Sequence, residues 1–201
     1  MRESLWILGD QLLEQHPGLL AGRRVVLIES LARLRQRRYH IRKLGLIIAA
    51  MRHYAAELRT RGFDVDLCQG DDFRSALRAY VATHNITRLI CMAAAEYATR
   101  AFQQELSDVL DIEVVVLPNT QLLLGRFPPA RSPKLMEPFY REMRKRTGLL
   151  MTSDGQPEGG SWNYDAENRK RYDGRPVPAL PSFPPDAVTR GALADVQAAC
   201  P

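Results

Sequence analysis

The hydrophobic positions of this chain follow two rhythms, short apolar runs and helical stripes, which alternate as far as Leu117. Residues 4–9 (SLWILG) form an apolar run halted by Gly9-Asp10-Gln11, which predicts a buried strand ending in a loop. A second run, residues 24–29 (RVVLIE), is rich in β-branched residues and ends at Glu29-Ser30. From about His40 to Arg61 the period changes. Leu44, Ile47, Ile48, Met51, Ala55 and Leu58 recur at three- and four-residue spacing, the apolar stripe of one helix, and Gly62 supplies a left-handed stop at no steric cost. Phe63–Gln69 (FDVDLCQ) alternates as a third strand. Asp72 then caps a helix over Phe73–His84, with Leu77, Tyr80 and Val81 on its buried side. Arg88–Ala93 reads as a fourth strand, Thr99–Leu110 as a helix and Glu113–Leu117 (EVVVL) as a fifth strand.

Strands that alternate with helices, several of them apolar on both faces, predict an α/β fold with a parallel sheet covered on both sides. The expectation is a three-layer, doubly wound, Rossmann-like sheet of about five mostly parallel strands joined by right-handed crossovers. After Pro118 the texture changes. Residues 125–138 are rich in proline, residues 148–161 in Gly, Ser and Asp, and prolines dominate again from about Tyr172 to Pro185. Between them, Glu137–Thr147 predicts a short basic helix, and Pro185–Ala199 one more helix capped by Asp186. The chain therefore divides into an α/β domain at 1–124 and a long proline-rich C-terminal extension, an ordered wrap or linker, at 125–201.

Composition narrows the class without choosing a function. With 201 residues, 45% of them hydrophobic and 25% charged, the chain matches an ordinary globular protein. No run of eighteen apolar residues predicts a membrane span, and the N-terminus reads as the first strand and not as a signal peptide. Cys68, Cys91 and Cys200 are widely spaced and follow no metal-site pattern, which fits free thiols in a reducing cytoplasm. The net charge of +5 is concentrated in three clusters: Arg33–Lys43, Arg141–Arg146 and Arg169–Arg171. Such clusters either grip phosphates or serve as solvated helix faces.

An open parallel sheet binds ligands beyond the carboxyl ends of its strands, where the strand order reverses. Three segments end there: Gly9-Asp10-Gln11, Glu29-Ser30-Leu31 and Ala94-Ala95-Glu96-Tyr97. Together they offer carboxylates, an amide and backbone groups in an apolar mouth, which suits a flat, polar-edged ring. The spaced glycines of a dinucleotide loop and the GxxxxGK[ST] pattern are both absent. Asp10 serves equally as a loop-forming carboxylate, and Glu29 as the partner of a nearby arginine. The histidines occupy no hydrolase context. A second candidate lies at 137–172. Phe139, Tyr140, Trp162, Asn163 and Tyr164 interleave there with Arg141, Arg144, Lys145, Arg146 and Arg169. This mixture grips nucleic acid by phosphate contact and stacking, or pins a long segment to a neighbouring domain.

Taken in order, LGDQL at 8–12, Ile28-Glu29-Ser30, YHIRKLGLIIAAMRHYAAEL at 39–58, FYREMRKRTGLLM at 139–151 and GGSWNYDAENR at 159–169 resemble one family. It is that of the photolyase-related proteins, bacterial iron–sulfur photolyases and cryptochromes of the (6-4) type. The resemblance runs from about residue 5 to residue 189. It implies an N-terminal antenna domain that binds 6,7-dimethyl-8-ribityllumazine, with Gly9, Asp10, Gln11, Glu29, Ser30, Leu31, Tyr39, Lys43, Ile47 and Met51 around the chromophore. Two positions, Arg33 and Tyr39, depart from the acidic residue and the histidine that relatives can carry there. The resemblance further implies a helical catalytic domain beyond the connector, holding FAD and a 4Fe–4S cluster, as the partner through which the parent acts on DNA. This chain is then not catalytic alone. As a piece of such a parent it would leave apolar surface exposed around Phe139, Trp162 and Tyr164. Two other readings compete: a stand-alone nucleotide- or flavin-binding module, and a DNA- or partner-binding interaction domain.

Overall fold

The computed structural model describes residues 2–123, 127–128 and 135–200. The expected boundary at 124/125 and part of the proline-rich stretch 125–138 lie outside the described residues. Two compact units are present. One joins residues up to Gln121 with those from Pro184 onward; the other spans Leu122–Phe183.

In the first unit, strands β1 (Glu3–Ile7), β2 (Arg24–Ser30), β3 (Val65–Gly70), β4 (Arg88–Met92) and β5 (Glu113–Leu117) form one sheet in the order β3-β2-β1-β4-β5. Every pairing is parallel, and central Leu5 aligns with Val25 on one side and Ile90 on the other. The helices are α1 (Leu31–Arg35), α2 (Ile41–Thr60), α3 (Phe73–His84) and α4 (Tyr97–Leu110). The doubly wound expectation holds, and most element limits fall within two residues of the predicted ones. Helix α1 is the addition. It is one turn long, too short for an apolar period, and is capped by Ser30, whose side chain accepts from the Arg33 amide.

Strand parity separates two cores. Leu5, Ile7, Val25 and Leu27 pack toward α2, whereas Trp6, Leu8, Val26 and Ile28 pack toward α3 and α4. Trp6 meets Phe73 and Phe102 edge-on, with ring centroids 5.1 and 6.4 Å away. Helix α2 begins at His40, whose ring nitrogen accepts from the Arg42 amide, and stops at Gly62 with φ +87°. Asp72 caps α3 through the Ser75 amide at 2.7 Å.

The helix predicted at 185–199 forms as α6 (Ala187–Ala199), with Asp186 accepting from the Thr189 amide at 2.8 Å. It packs on α2 through Ala192 and Val196 and so belongs to the α/β unit. Gly45 permits the close approach, since a Cβ there would stand 2.4 Å from Leu193 Cδ2. A bidentate Glu29–Arg52 pair (2.8 and 2.9 Å), extended by Arg52–Asp195 at 2.7 Å, ties β2, α2 and α6 together.

The second unit contains α5 (Met136–Thr147), which ends at Gly148 with φ +71°, followed by 3-10 turns at Glu158–Gly160 and Glu167–Arg169. Its centre is Trp162. Arg141, Arg144 and Lys145, successive along one side of α5, each place their charge 5.4 Å from its ring. Arg144 is buried and donates to Tyr140 Oη, to the Trp162 carbonyl and to the Leu150 carbonyl. Tyr164 donates to the Gly159 carbonyl, and Asn163 to Glu137. Phe139 and Trp162 are half-buried; Tyr164 is exposed.

Two outcomes follow from this packing. His16 is buried in the β1–β2 loop, where its Nδ1 accepts from the Gly18 amide, and desolvation pushes its pKa down to about 4. The unfolded chain protonates this ring near the ordinary value of 6.5 while the folded chain does not, so stability falls as pH drops from about 6.5 toward 4. The loss should be on the order of 3 kcal/mol. His16→Gln, which keeps an acceptor for Gly18, should flatten a urea-unfolding series across that window; an equal slope in both proteins would contradict the assignment. In the second unit, Trp162→Ala removes three cation–π contacts worth roughly 2 kcal/mol together. Limited proteolysis should then cut faster within residues 148–170, with thermal unfolding of the α/β unit unmoved.

Candidate functional site

Beyond the carboxyl ends of β1, β2 and β4 lies a crevice of about 250 Å³. It stands where the sheet order reverses, β1 leading outward to β2 and β4 turning to the other side. One wall is the face of α2 carrying Leu44, Ile47, Ile48 and Met51, four residues in the i, i+3, i+4, i+7 relation of a single helical stripe. Leu8 and Ile28 close its base, and Phe73 and Ala94 face it from the other side of the sheet.

Gly9 sets the width. A Cβ at this position would stand 2.8 Å from Met51 Sδ and 3.4 Å from Ile47 Cγ2, so a larger residue would push the Met51 side chain aside to keep the β1 loop against α2. The backbone conformation here needs no glycine; the contact favours one. Polar groups occupy the rim: Asp10, Ser30, Arg33, Gln36, Tyr39, Lys43, Glu96 and Thr99. Arg33 reaches across to Glu96 at 2.5 Å, and Thr99 Oγ1 donates to the same carboxylate at 2.6 Å. Arg33 and then Thr99 hold the Glu96 carboxyl below its ordinary range, so it is ionised and clasped. Lys43 Nζ lies 4.3 Å over the Tyr39 ring. Ser30 Oγ is committed to the loop, donating to the Asp71 carbonyl and accepting from Arg33 N.

Of the residues predicted from the sequence, Gly9, Asp10, Ser30, Tyr39, Lys43, Ile47 and Met51 line this crevice, and Glu96 joins them. Gln11, Glu29 and Leu31 do not. Gln11 is fully buried and its amide donates to the Met92 and Ala93 carbonyls, fastening the β1 loop to the end of β4. Glu29 follows strand parity to the α2–α6 side, where Arg52 takes both its oxygens. Leu31 packs into the core beneath α2. Tyr97 points away, 87% exposed. Leu34 and Gln36 escaped sequence reasoning because α1 did, and Arg33 entered it only as a departure from relatives; Leu44 and Ile48 were legible as neighbours of Ile47 on one stripe.

Of the basic–aromatic segment, Tyr140, Arg144, Trp162, Asn163 and Tyr164 line a separate cavity of about 580 Å³, whereas Phe139, Arg141, Lys145, Arg146 and Arg169 do not. Arg144 spends its donors inside the unit. Arg141 pairs with Glu137 at 2.8 Å, and Arg146 with Glu142 at 3.4 Å. Lys145 and Arg169 are exposed. Cys91 is buried and its thiol is pushed up to about 12, which makes it inert; Cys68 and Cys200 are half-buried and free. Among the described residues no helix is long and apolar enough to cross a membrane.

Comparison with known proteins adds two findings. The family model for deoxyribodipyrimidine photo-lyase-related protein matches residues 5–201. A (6-4) photolyase of Agrobacterium fabrum (strain C58 / ATCC 33970) is 33% identical over 215 aligned residues, which cover 98% of this chain and 42% of that protein. The chain thus spans about two fifths of the length of the curated relative it matches. The blocks from LGDQL to GGSWNYDAENR fall inside the matched range, and the chain belongs to the deoxyribodipyrimidine photo-lyase-related protein family.

Proposed function

We propose that this chain is the antenna-chromophore part of a photolyase or cryptochrome that serves light-driven DNA repair or blue-light sensing. The observation that carries the reading is the convergence of Gly9, Ile47 and Met51 on one narrow, apolar-walled crevice at the reversal of strand order. Such a slot accepts a flat ring edgewise and meets its polar edges at the rim. The chromophore is 6,7-dimethyl-8-ribityllumazine, held between the α2 stripe and the Gly9 loop. Bound there, it would absorb light and pass the excitation on. The chain's own share is to exclude water with Leu44, Ile47 and Met51 and to orient the ring through Asp10, Lys43 and the clasped Glu96.

FAD and the 4Fe–4S cluster belong in a helical domain of the parent protein. Cys68, Cys91 and Cys200 do not form a cluster that would ligate iron among the described residues. DNA contact likewise belongs to the parent, with Lys145, Arg169, Lys170 and Arg171 among the exposed cations of the second unit. The free thiols suit a cytoplasmic setting.

The test is spectroscopic. Titration of the purified chain with the lumazine should give saturable binding and a shifted absorption band. Ile47, 36% exposed, can be enlarged without disturbing the core, so Ile47→Trp should fill the slot and weaken binding by about tenfold or more while circular dichroism stays unchanged. A wild-type chain that leaves the lumazine spectrum untouched would remove the antenna reading.

A further inference from the structure

The strap at 175–185 (RPVPALPSFPP) places Val177, Leu180 and Phe183 three residues apart, each directly followed by a proline. Proline fixes its own φ near about −65° and presses the residue before it into extended backbone, so only Ala179 and Ser182 are left unconstrained. A stretch so restricted favours the polyproline II helix, whose three residues per turn bring Val177, Leu180 and Phe183 into one row. In the structure it forms neither helix nor strand, and the backbone of 176–184 makes no hydrogen bond among the described residues. The row is uncovered: the three side chains are 76, 87 and 84% exposed.

The same unit carries a surface with the matching chemistry. Its cavity of about 580 Å³ is lined by three aromatic rings, Tyr140, Trp162 and Tyr164, beside Met136 and Leu150. All of these but Trp162, which is half-buried, are exposed. The Trp162 indole N–H has no acceptor among the described residues. Prolines and apolar side chains seat between such rings, and an open indole N–H meets the free carbonyls of a segment that has no internal hydrogen bonds. Charge is balanced around the cavity. Glu137 pairs with Arg141, and Glu158 and Asp165 are matched in number by Arg144 and Lys145. The complementarity is therefore aromatic and apolar, not ionic.

We infer that the 175–185 strap docks into the Trp162 cavity of a second copy of this chain, reciprocally about a two-fold axis. The strap does not occupy its own cavity, since Val177, Leu180 and Phe183 are all absent from the lining. Area favours the reciprocal arrangement. Standard interfaces bury about 800 Å² a side over 20–30 residues, so a strap of this length corresponds to roughly 300–450 Å². One dock falls short of a stable complex, whereas two give each copy about 600–900 Å², the standard size. The proline-set backbone keeps the ordering cost low.

Sedimentation velocity of the full chain should show a reversible monomer–dimer equilibrium with a dissociation constant on the order of 10 μM, little changed by raised salt. Leu180→Asp/Phe183→Asp, at two exposed positions, should leave circular dichroism unchanged and weaken the dimer about tenfold or more. A peptide of residues 173–185 should compete the dimer apart and shift the emission of Trp162, with fully buried Trp6 a constant background. Pro178→Ala/Pro181→Ala in the peptide should weaken both effects several-fold.

A chain that stays monomeric to about 100 μM would overturn the inference. A dimer that survives Leu180→Asp/Phe183→Asp would remove the strap from the interface. A peptide that dissolves the dimer without moving Trp162 emission would remove the cavity from it. A peptide that moves Trp162 emission in a chain that never dimerises would overturn the second copy as occupant and assign the cavity to a proline-rich segment of another protein.

Discussion

The structure depends on the burial of β1 from both sides. Leu5, Trp6 and Ile7 have no exposed surface, and the strand pairs along both of its edges. A central parallel strand of this kind cannot be reached by hairpins, so every connection must cross over a face of the sheet. Right-handed crossovers then force α2 onto one face and α3 and α4 onto the other. The reversal of direction on either side of β1 leaves the loops at its carboxyl end diverging, and the crevice is the gap they leave. Fold and site have one cause.

How much of this was legible beforehand depended on the range of the interaction. Asp72, Gly62 and the α2 stripe act within one or two turns, and their signals sit in adjacent residues; the elements they define formed where expected. Glu29 shows the next level. Its pairing with an arginine was one of two open readings, but the partner, Arg52, is set by where α2 lands on β2, which no local pattern states. The same holds for Gln11, whose position in the loop after β1 suggested a ligand contact while its amide is used by the far end of β4.

The destination of α6 was the least legible. Its stripe of Ala192 and Val196 announces a buried face without an address. The address is written in α2, at Gly45, a residue that weakens a helix interior by about 1 kcal/mol and is explained only by the Leu193 side chain that occupies its missing Cβ. Charge was legible as quantity and not as role. Arg144 and Lys145 are neighbours in sequence and both approach the Trp162 ring, yet Arg144 is buried, with its donors on the Trp162 and Leu150 carbonyls, and Lys145 stays exposed, a difference set by the segment folded against α5 and not by local pattern.

The joining of residues 29, 52 and 195 through one arginine has a topological consequence. The segment from Leu122 to Phe183 leaves and re-enters the same body, so it is an insertion tethered at both ends and not a trailing arm. The entropy of closing so long an excursion grows by only about 0.6 kcal/mol for each doubling of its length. Nature can therefore lengthen, shorten or exchange the inserted segment at little thermodynamic cost to the sheet. A single backbone break within it leaves α6 seated on α2, and the two fragments remain one folded body held by Gly45, Leu193 and the Arg52 bridge.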